Sequence, residues 1–332
     1  TGSTTLSASQ KGSLPIIGLV VIAVVVVALL AIIIGKNSSK PQPVNPPISQ
    51  TPSTQTQNPS PSEMGLKFDN PPSKADPFGD KNGPFYHQVF LAESPDGVNF
   101  TKEKEVLFDK ASVPDIVRLP SGRLLAYMVD GARRSKSGVM VALSDDSGQS
   151  WDAGSVQIKS KGVLAAADPE VVLLKNGSIR LYFITFGQGK NMVKSATSND
   201  GINFEAEEGV RFEYAQITDP DVVNINGKYF MYLSQGPRLI AASSDDGLTF
   251  TLEKTIREKG SVSNTVYVDV DFYRQFYCLD GNIRNARTAD GLTFTDEPGD
   301  RLTPDPGKII CDPAPVHLGG SWLMLYKVAP GH

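Results

Sequence analysis

The sequence predicts an all-β protein, a five-bladed β-propeller closed by N- and C-terminal strands in one blade. A single transmembrane helix and a Pro-rich linker precede it. Three observations predict this. One short aspartate-glycine turn recurs five times, at intervals of 44 to 54 residues. A strand opening, mostly Asp-Pro, recurs ahead of these turns, and an uncharged apolar run stands apart near the N-terminus. Composition agrees. Gly 30 and Pro 24 in 332 residues is about one residue in six, against a usual one in eight or so, and favours many tight turns over a helical bundle. The net charge of −4 excludes the basic face that a nucleic-acid binder needs. Two cysteines exclude a disulfide-rich scaffold and a four-cysteine zinc site. Three histidines, one of them the last residue, argue against a His-built metal centre.

Taken in order, residues 1–13 form a short tail and 14–35 the transmembrane helix. Leu14 to Ile34 carries no charge and is almost wholly Val, Ile, Leu or Ala. At about 1.5 Å per residue it spans roughly 31 Å, the thickness of a hydrocarbon core. Pro15 suits a helix start, where a missing N–H costs little. The run exceeds a signal-peptide core and no small-residue cleavage pattern follows, so the expectation is an uncleaved anchor. Lys11 precedes it while Lys36 and Lys40 follow. That count alone would put the C-terminus inside, but the next segment has the composition of an external stalk, which outweighs it. The chain begins without Met, so the upstream charge count is open.

Residues 36–83 read as a disordered linker rich in Pro, Ser and Thr. Pro41 to Ser62 holds seven prolines and no charge; it cannot bury a core and stays extended.

Residues 84–332 hold the repeats. The turns are Ser94–Phe100, Ser144–Trp151, Ser198–Phe204, Ser244–Phe250 and Thr288–Phe294, centred on Asp96, Asp146, Asp200, Asp246 and Asp290. Asp can bond backbone N–H groups, Gly supplies positive φ, and the closing aromatic returns to the core. Asp-Gly between strand-like runs signals a hairpin. The strand openings are Pro114-Asp115, Asp168-Pro169-Glu170, Asp219-Pro220-Asp221 and Asp312-Pro313, with Ser263-Asn264 in the corresponding place of the fourth unit. Each unit therefore reads as four antiparallel strands in about 50 residues, the size of one blade. The last unit stops after its second strand near Tyr326, and the first starts at about Gln88 with a third. Joined, they complete one blade and remove free edges.

The repeated turns resemble the Asp-box of sialidases; Ser144–Trp151 has the full S-x-D-x-G-x-[ST]-W spacing and the other four are one residue shorter. The Asp-Pro openings resemble the five-bladed furanosidase-type glycoside hydrolases, the arabinanase and xylosidase clan. The resemblance covers about residues 84–332. It implies a base Asp in the first blade, an orienting Asp in the second and an acid Glu in the third. Val113 occupies the first of these positions, with Asp115 two residues on. Asp168 matches the second, and Asp219 stands where a Glu-containing motif is expected.

In a propeller the first strand of each blade lines the axis, so carboxylates at these openings converge. The candidate catalytic residues are Asp115, Asp168, Glu170 and Asp219, with Glu170, the only Glu in the openings, as the acid. Crowded carboxylates raise one another's pKa and can set an acid beside a base, the pair that glycoside hydrolysis needs. Asp221, Asp312, Arg118 and His317 are the candidate substrate-binding residues; Arg suits an anionic sugar. The competing reading is that Asp before Pro only bonds turn amides. Tyr127, Tyr182, Tyr232, Tyr326 and Trp322 read as core. Cys278 and Cys311, on blades four and five, read as a bridge or as buried thiols. No cofactor motif appears; an axial calcium ion is allowed but not signalled.

The functional expectation is a membrane-anchored extracellular propeller of glycoside-hydrolase type, acting on or binding a glycan or polysaccharide. The alternative is a non-catalytic glycan- or protein-binding surface propeller; a pilin-like filament subunit is a third.

Overall fold

The computed structural model describes residues 59–60, 63–161, 165–269 and 272–331. The expected tail, transmembrane helix and linker as far as residue 58 lie outside the described residues.

Five sheets surround one axis, each with a strand order that follows the chain outward. Blade one is Ala111–Arg118, Leu124–Asp130, Val139–Ser144 and Asp152–Ser155. Blade two is Ala167–Leu173, Ile179–Thr185, Asn191–Ser198 and Asn203–Ala206. Gln157–Lys159 adds a parallel strand to its outer edge. Blade three is Thr218–Ile225, Lys228–Gln235, Arg238–Ser244 and Thr251–Arg257. Blade four is Ser261–Asp269, Phe272–Leu279, Asn282–Thr288 and Thr295–Asp296. Blade five takes Lys308–His317 and Trp322–Pro330 from the C-terminal end and Gln88–Ser94 and Thr101–Lys102 from the N-terminal end. Gln88 pairs with Val328 and Ser94 with Trp322, so the expected closure within one blade is present. The five first strands pack side by side in a ring.

In blade one the middle strands are apolar on both faces, because the blade packs against two neighbours. All of Val139–Ser144 is buried. The apolar residues separate into five clusters, one at each blade-to-blade interface.

The five turns cement this arrangement. In each, the aspartate Oδ1 accepts two successive backbone N–H groups, as Asp96 does from Val98 and Asn99 at 2.8 Å each. The preceding hydroxyl accepts the glycine N–H, as Ser244 Oγ does from Gly247 at 3.0 Å. These bonds hold Asp146 and Asp290 down at about 2, the latter against an opposing effect of burial. The glycine carbonyl faces the preceding blade. Tyr127, Tyr182 and Tyr232 each donate a hydroxyl to one such carbonyl, of Gly201, Gly247 and Gly291, at 2.8 Å. Blade four has Phe276 at that place, and Arg274 Nη1 serves Gly97 O instead, at 3.1 Å.

Two features differ from the sequence reading or sharpen it. Residues 63–83, assigned to the linker, run up the outer edge of blade one. Lys67 O accepts Ser155 N–H at 2.9 Å, Asp69 accepts Lys136 N–H at 2.9 Å, and Met64, Leu66 and Phe68 enter the flanking clusters. Three apolar side chains in register with a strand edge suffice to dock a segment whose composition is otherwise that of a linker. Cys278 and Cys311 are bridged, with Cα atoms 5.3 Å apart, which joins blade four to the closing blade.

Candidate functional site at the propeller axis

Each first strand breaks register at the same place. The residue there takes a left-handed φ of 47–54° in all five blades: Val113, Asp168, Asp219, Val262 and Asp312. That conformation is tolerable for Asp and a true outlier for a β-branched residue, at about 1–3 kcal/mol each. The bulge turns side chains toward the axis. Val113, Asp115, Glu170, Asp219, Asn264 and Asp312 all line one depression at the hub.

Two residues beyond each bulge stands an inner set: Asp115, Glu170, Asp221, Asn264 and Ala314. Three of these carboxyls cross to the next blade. Asp115 Oδ2 accepts Val171 N–H at 2.6 Å, Glu170 Oε1 accepts Val222 N–H at 2.8 Å, and Asp221 Oδ1 accepts Thr265 N–H at 2.9 Å. The fourth crossing is impossible because Pro315 has no N–H. Asn264 instead reaches across the axis to Asp115 Oδ1 at 2.7 Å. Asp221 also accepts the hydroxyls of Ser263 and Thr265, both at 2.7 Å. Burial raises all three carboxyls. Glu170 rises well above the carboxylate range, through burial and then the charges of Asp115 and Asp221, and Asp221 rises to about 6. Burial therefore favours the uncharged form of Glu170, beside an Asp115 whose charge works in the same direction.

The bulge residues form the outer set. Asp168 Oδ2 accepts Asp219 N–H at 3.3 Å. Lys327, from the second strand of blade five, pairs with Asp312. Burial, then neighbouring negative charge, pushes Asp168 well up and Asp219 up to about 6. Burial works against the Lys327 ammonium, yet Asp312, Asp219 and Asp168 more than reverse it. His87 Nδ1 lies 2.8 Å from Ser112 Oγ, and burial, then Lys327, holds its pKa down. Lys327 was not among the sequence candidates; the signal available was a lone cation inside the apolar run Trp322–Pro330.

Thus Asp115, Asp168, Glu170, Asp219, Asp221 and Asp312 all gather at the hub. Arg118 and His317 do not. Both are exposed at the opposite ends of their strands, and His317 stacks on Trp322 at 4.7 Å. The five turn aspartates lie at that opposite end too. The hub depression has a volume of about 20 Å³, room for one water and far short of the few hundred Å³ usual for a ligand pocket. Among the described residues no group of three or more His, Cys, Asp or Glu is placed to hold a metal ion. The charge balancing the outer carboxylates is Lys327.

No protein family and no curated protein matches this sequence. Solved structures match the fold. A protein of unknown function from Dyadobacter fermentans is 18% identical, with a TM-score of 0.52 over 82% of this chain and 89% of that one. A thermostable family-43 glycoside hydrolase is 15% identical, with a TM-score of 0.54 over 67% and 86% of the two chains. An endo-1,4-beta-xylanase from Bacteroides thetaiotaomicron is 16% identical, with a TM-score of 0.52 over 64% and 82%. At these identities the likeness is one of fold. The likeness of the turns to those of sialidases rests on their sequence alone.

Proposed function

We propose that this chain is a cell-surface propeller that binds glycans without hydrolysing them, held at the membrane by residues 14–35. One observation carries the reading. The place where the fold's hydrolase relatives suggest an active site is a depression of about 20 Å³, whose inner carboxyls are committed to the amides of neighbouring blades. Val113 fills the position at which the resemblance expects a base. No sugar ring enters such a space, and no water beside it has a free carboxylate of the inner set to activate it.

Binding is assigned to the end of the propeller around that depression. Phe78, Tyr86, Phe186 and Tyr214 are exposed there, Phe186 by 67%. Phe186 follows the strand whose Ile184 pairs with Ala167, beside Asp168, and Tyr214 pairs with Asn191 at the same end. Flat exposed rings stack on sugar faces. The glycan class comes from the names of the similar structures. The interblade disulfide suits an oxidising, extracellular setting.

The test uses the full chain in detergent. A panel of aryl glycosides is expected to give no turnover, while xylo- and arabino-oligosaccharides bind by calorimetry. Phe186→Ala is expected to weaken that binding by roughly tenfold. Turnover that Asp168→Asn abolishes would establish the hydrolase instead; absence of any oligosaccharide binding would remove the glycan.

A further inference from the structure

Blades four and five carry a tyrosine at the same place in the second strand. Tyr277 and Tyr326 each follow the residue paired with the inner hub position, Phe276 opposite Asn264 and Leu325 opposite Ala314. Their surroundings differ. The Tyr277 hydroxyl donates to Asp296 Oδ1 at 3.0 Å, and the Arg257 guanidinium covers its ring at 3.9 Å from the centroid. One blade further on, strand pairing puts Lys102 where Asp296 stands and Leu302 where Arg257 stands. Lysine cannot accept a hydrogen bond. Lys102 instead turns to Asp305 at 2.6 Å and the Thr303 carbonyl at 3.2 Å. Tyr326 is 1% exposed, and among the described residues its hydroxyl has no hydrogen-bond partner.

A cavity of about 390 Å³ lies against Tyr326, on one flank of blade five. Phe90 stacks on Tyr326 at 6.1 Å and makes one wall, with Ile310 and Val328 beside it. Lys104 and Lys308 stand at the rim, both exposed. Against them is Glu103, Lys102 and Asp305 being paired with each other, so the lining carries one excess positive charge. Burial, with Asp305 and Glu103 nearby, raises the Tyr326 pKa and keeps the hydroxyl a donor.

We propose that this flank cavity is a binding site for a small aromatic carboxylate. Its ring lies along the wall of Phe90 and Tyr326, an acceptor oxygen takes the Tyr326 hydroxyl, and its negative charge faces Lys104 and Lys308. The site is separate from the hub and stands or falls independently of the glycan reading. The volume suits one or two fused rings.

The full chain in detergent is titrated with 1-naphthoate by ligand-detected NMR against empty micelles, with neutral 1-naphthalenemethanol and xylobiose alongside. Saturable binding of 1-naphthoate is expected, clearly stronger than that of either neutral compound. Tyr326→Phe is expected to weaken it about tenfold without lowering the melting temperature, since it removes a group that bonds nothing. Lys104→Ala with Lys308→Ala is expected to abolish its salt dependence, and Tyr277→Phe to leave affinity unchanged. No saturable binding, tighter binding of a neutral compound, or binding indifferent to Tyr326→Phe overturns the proposal.

Discussion

Replacing Glu170 by glutamine separates a structural acid from a catalytic one. Glu170 is 5% exposed, accepts Val222 N–H at 2.8 Å and is pushed well up by burial and by the charges of Asp115 and Asp221. A glutamine amide keeps the oxygen that accepts Val222 N–H and, like the protonated acid, carries no charge. Near pH 6 the expected loss of stability is therefore below about 1 kcal/mol. Glu170→Ala leaves Val222 N–H unpaired beside a void, and is expected to cost about 3–5 kcal/mol, or roughly 6–20 °C in a domain of this size. The wild-type and glutamine curves also diverge with pH. The folded-state pKa of Glu170 lies above its unfolded value, so the wild type loses stability as pH rises through the folded value. Glutamine has no proton to lose, so Glu170→Gln is expected to equal the wild type at pH 5 and to exceed it at pH 9. Thermal melts in matched buffers read this directly. A glutamine variant destabilised by more than about 2 kcal/mol at pH 6 would falsify the protonated, structural Glu170.

Tyr182→Phe strips the Gly247 carbonyl of a buried donor and is expected to cost about 1–3 kcal/mol. Tyr127→Phe and Tyr232→Phe, at separate interfaces, are expected to add to it; a triple variant melting within a degree of the wild type would refute the bonds. The whole propeller is expected to be most stable between about pH 4 and 5. The depressed turn aspartates contribute above their unfolded pKa and lose this as pH falls toward about 2. Asp219 and Asp221, raised to about 6, contribute at low pH and lose it as pH climbs through that value. A melting temperature rising steadily from pH 5 to 8 would contradict the raised hub.

The turns, the blade count and the closure were readable because their determinants are local and recur. Ser244, Asp246 and Gly247 lie within four residues, and the bonds that shape the turn run among them and the two residues that follow. The convergence of Asp168, Asp219 and Asp312 on the axis followed from blade periodicity. What those carboxyls bond did not. The Glu170 partner is an amide 52 residues away, and the size of the hub depends on five bulges that Val113 and Val262 adopt against their own preference. Lys327 was hidden in a run that reads as uniform core. The docked segment at 63–83 escaped because Met64, Leu66 and Phe68 are spaced like a strand but sit in linker composition. The tyrosine hydroxyls were read as packing, although their even placement across blades one to three was visible.

The shared closing sheet has a consequence for synthesis. Gln88–Ser94 is made before every other blade strand, but its partner Trp322–Pro330 follows all of them, Trp322 being 228 residues after Ser94. Until then Val89 and Ala92, fully covered in the finished ring, have a partner strand on one side only. Local hairpins form quickly, while a pairing over that distance is slow and open to misassembly. The nascent propeller thus carries an unfinished edge between these two points, and emergence of Trp322–Pro330 is the event that completes the circle.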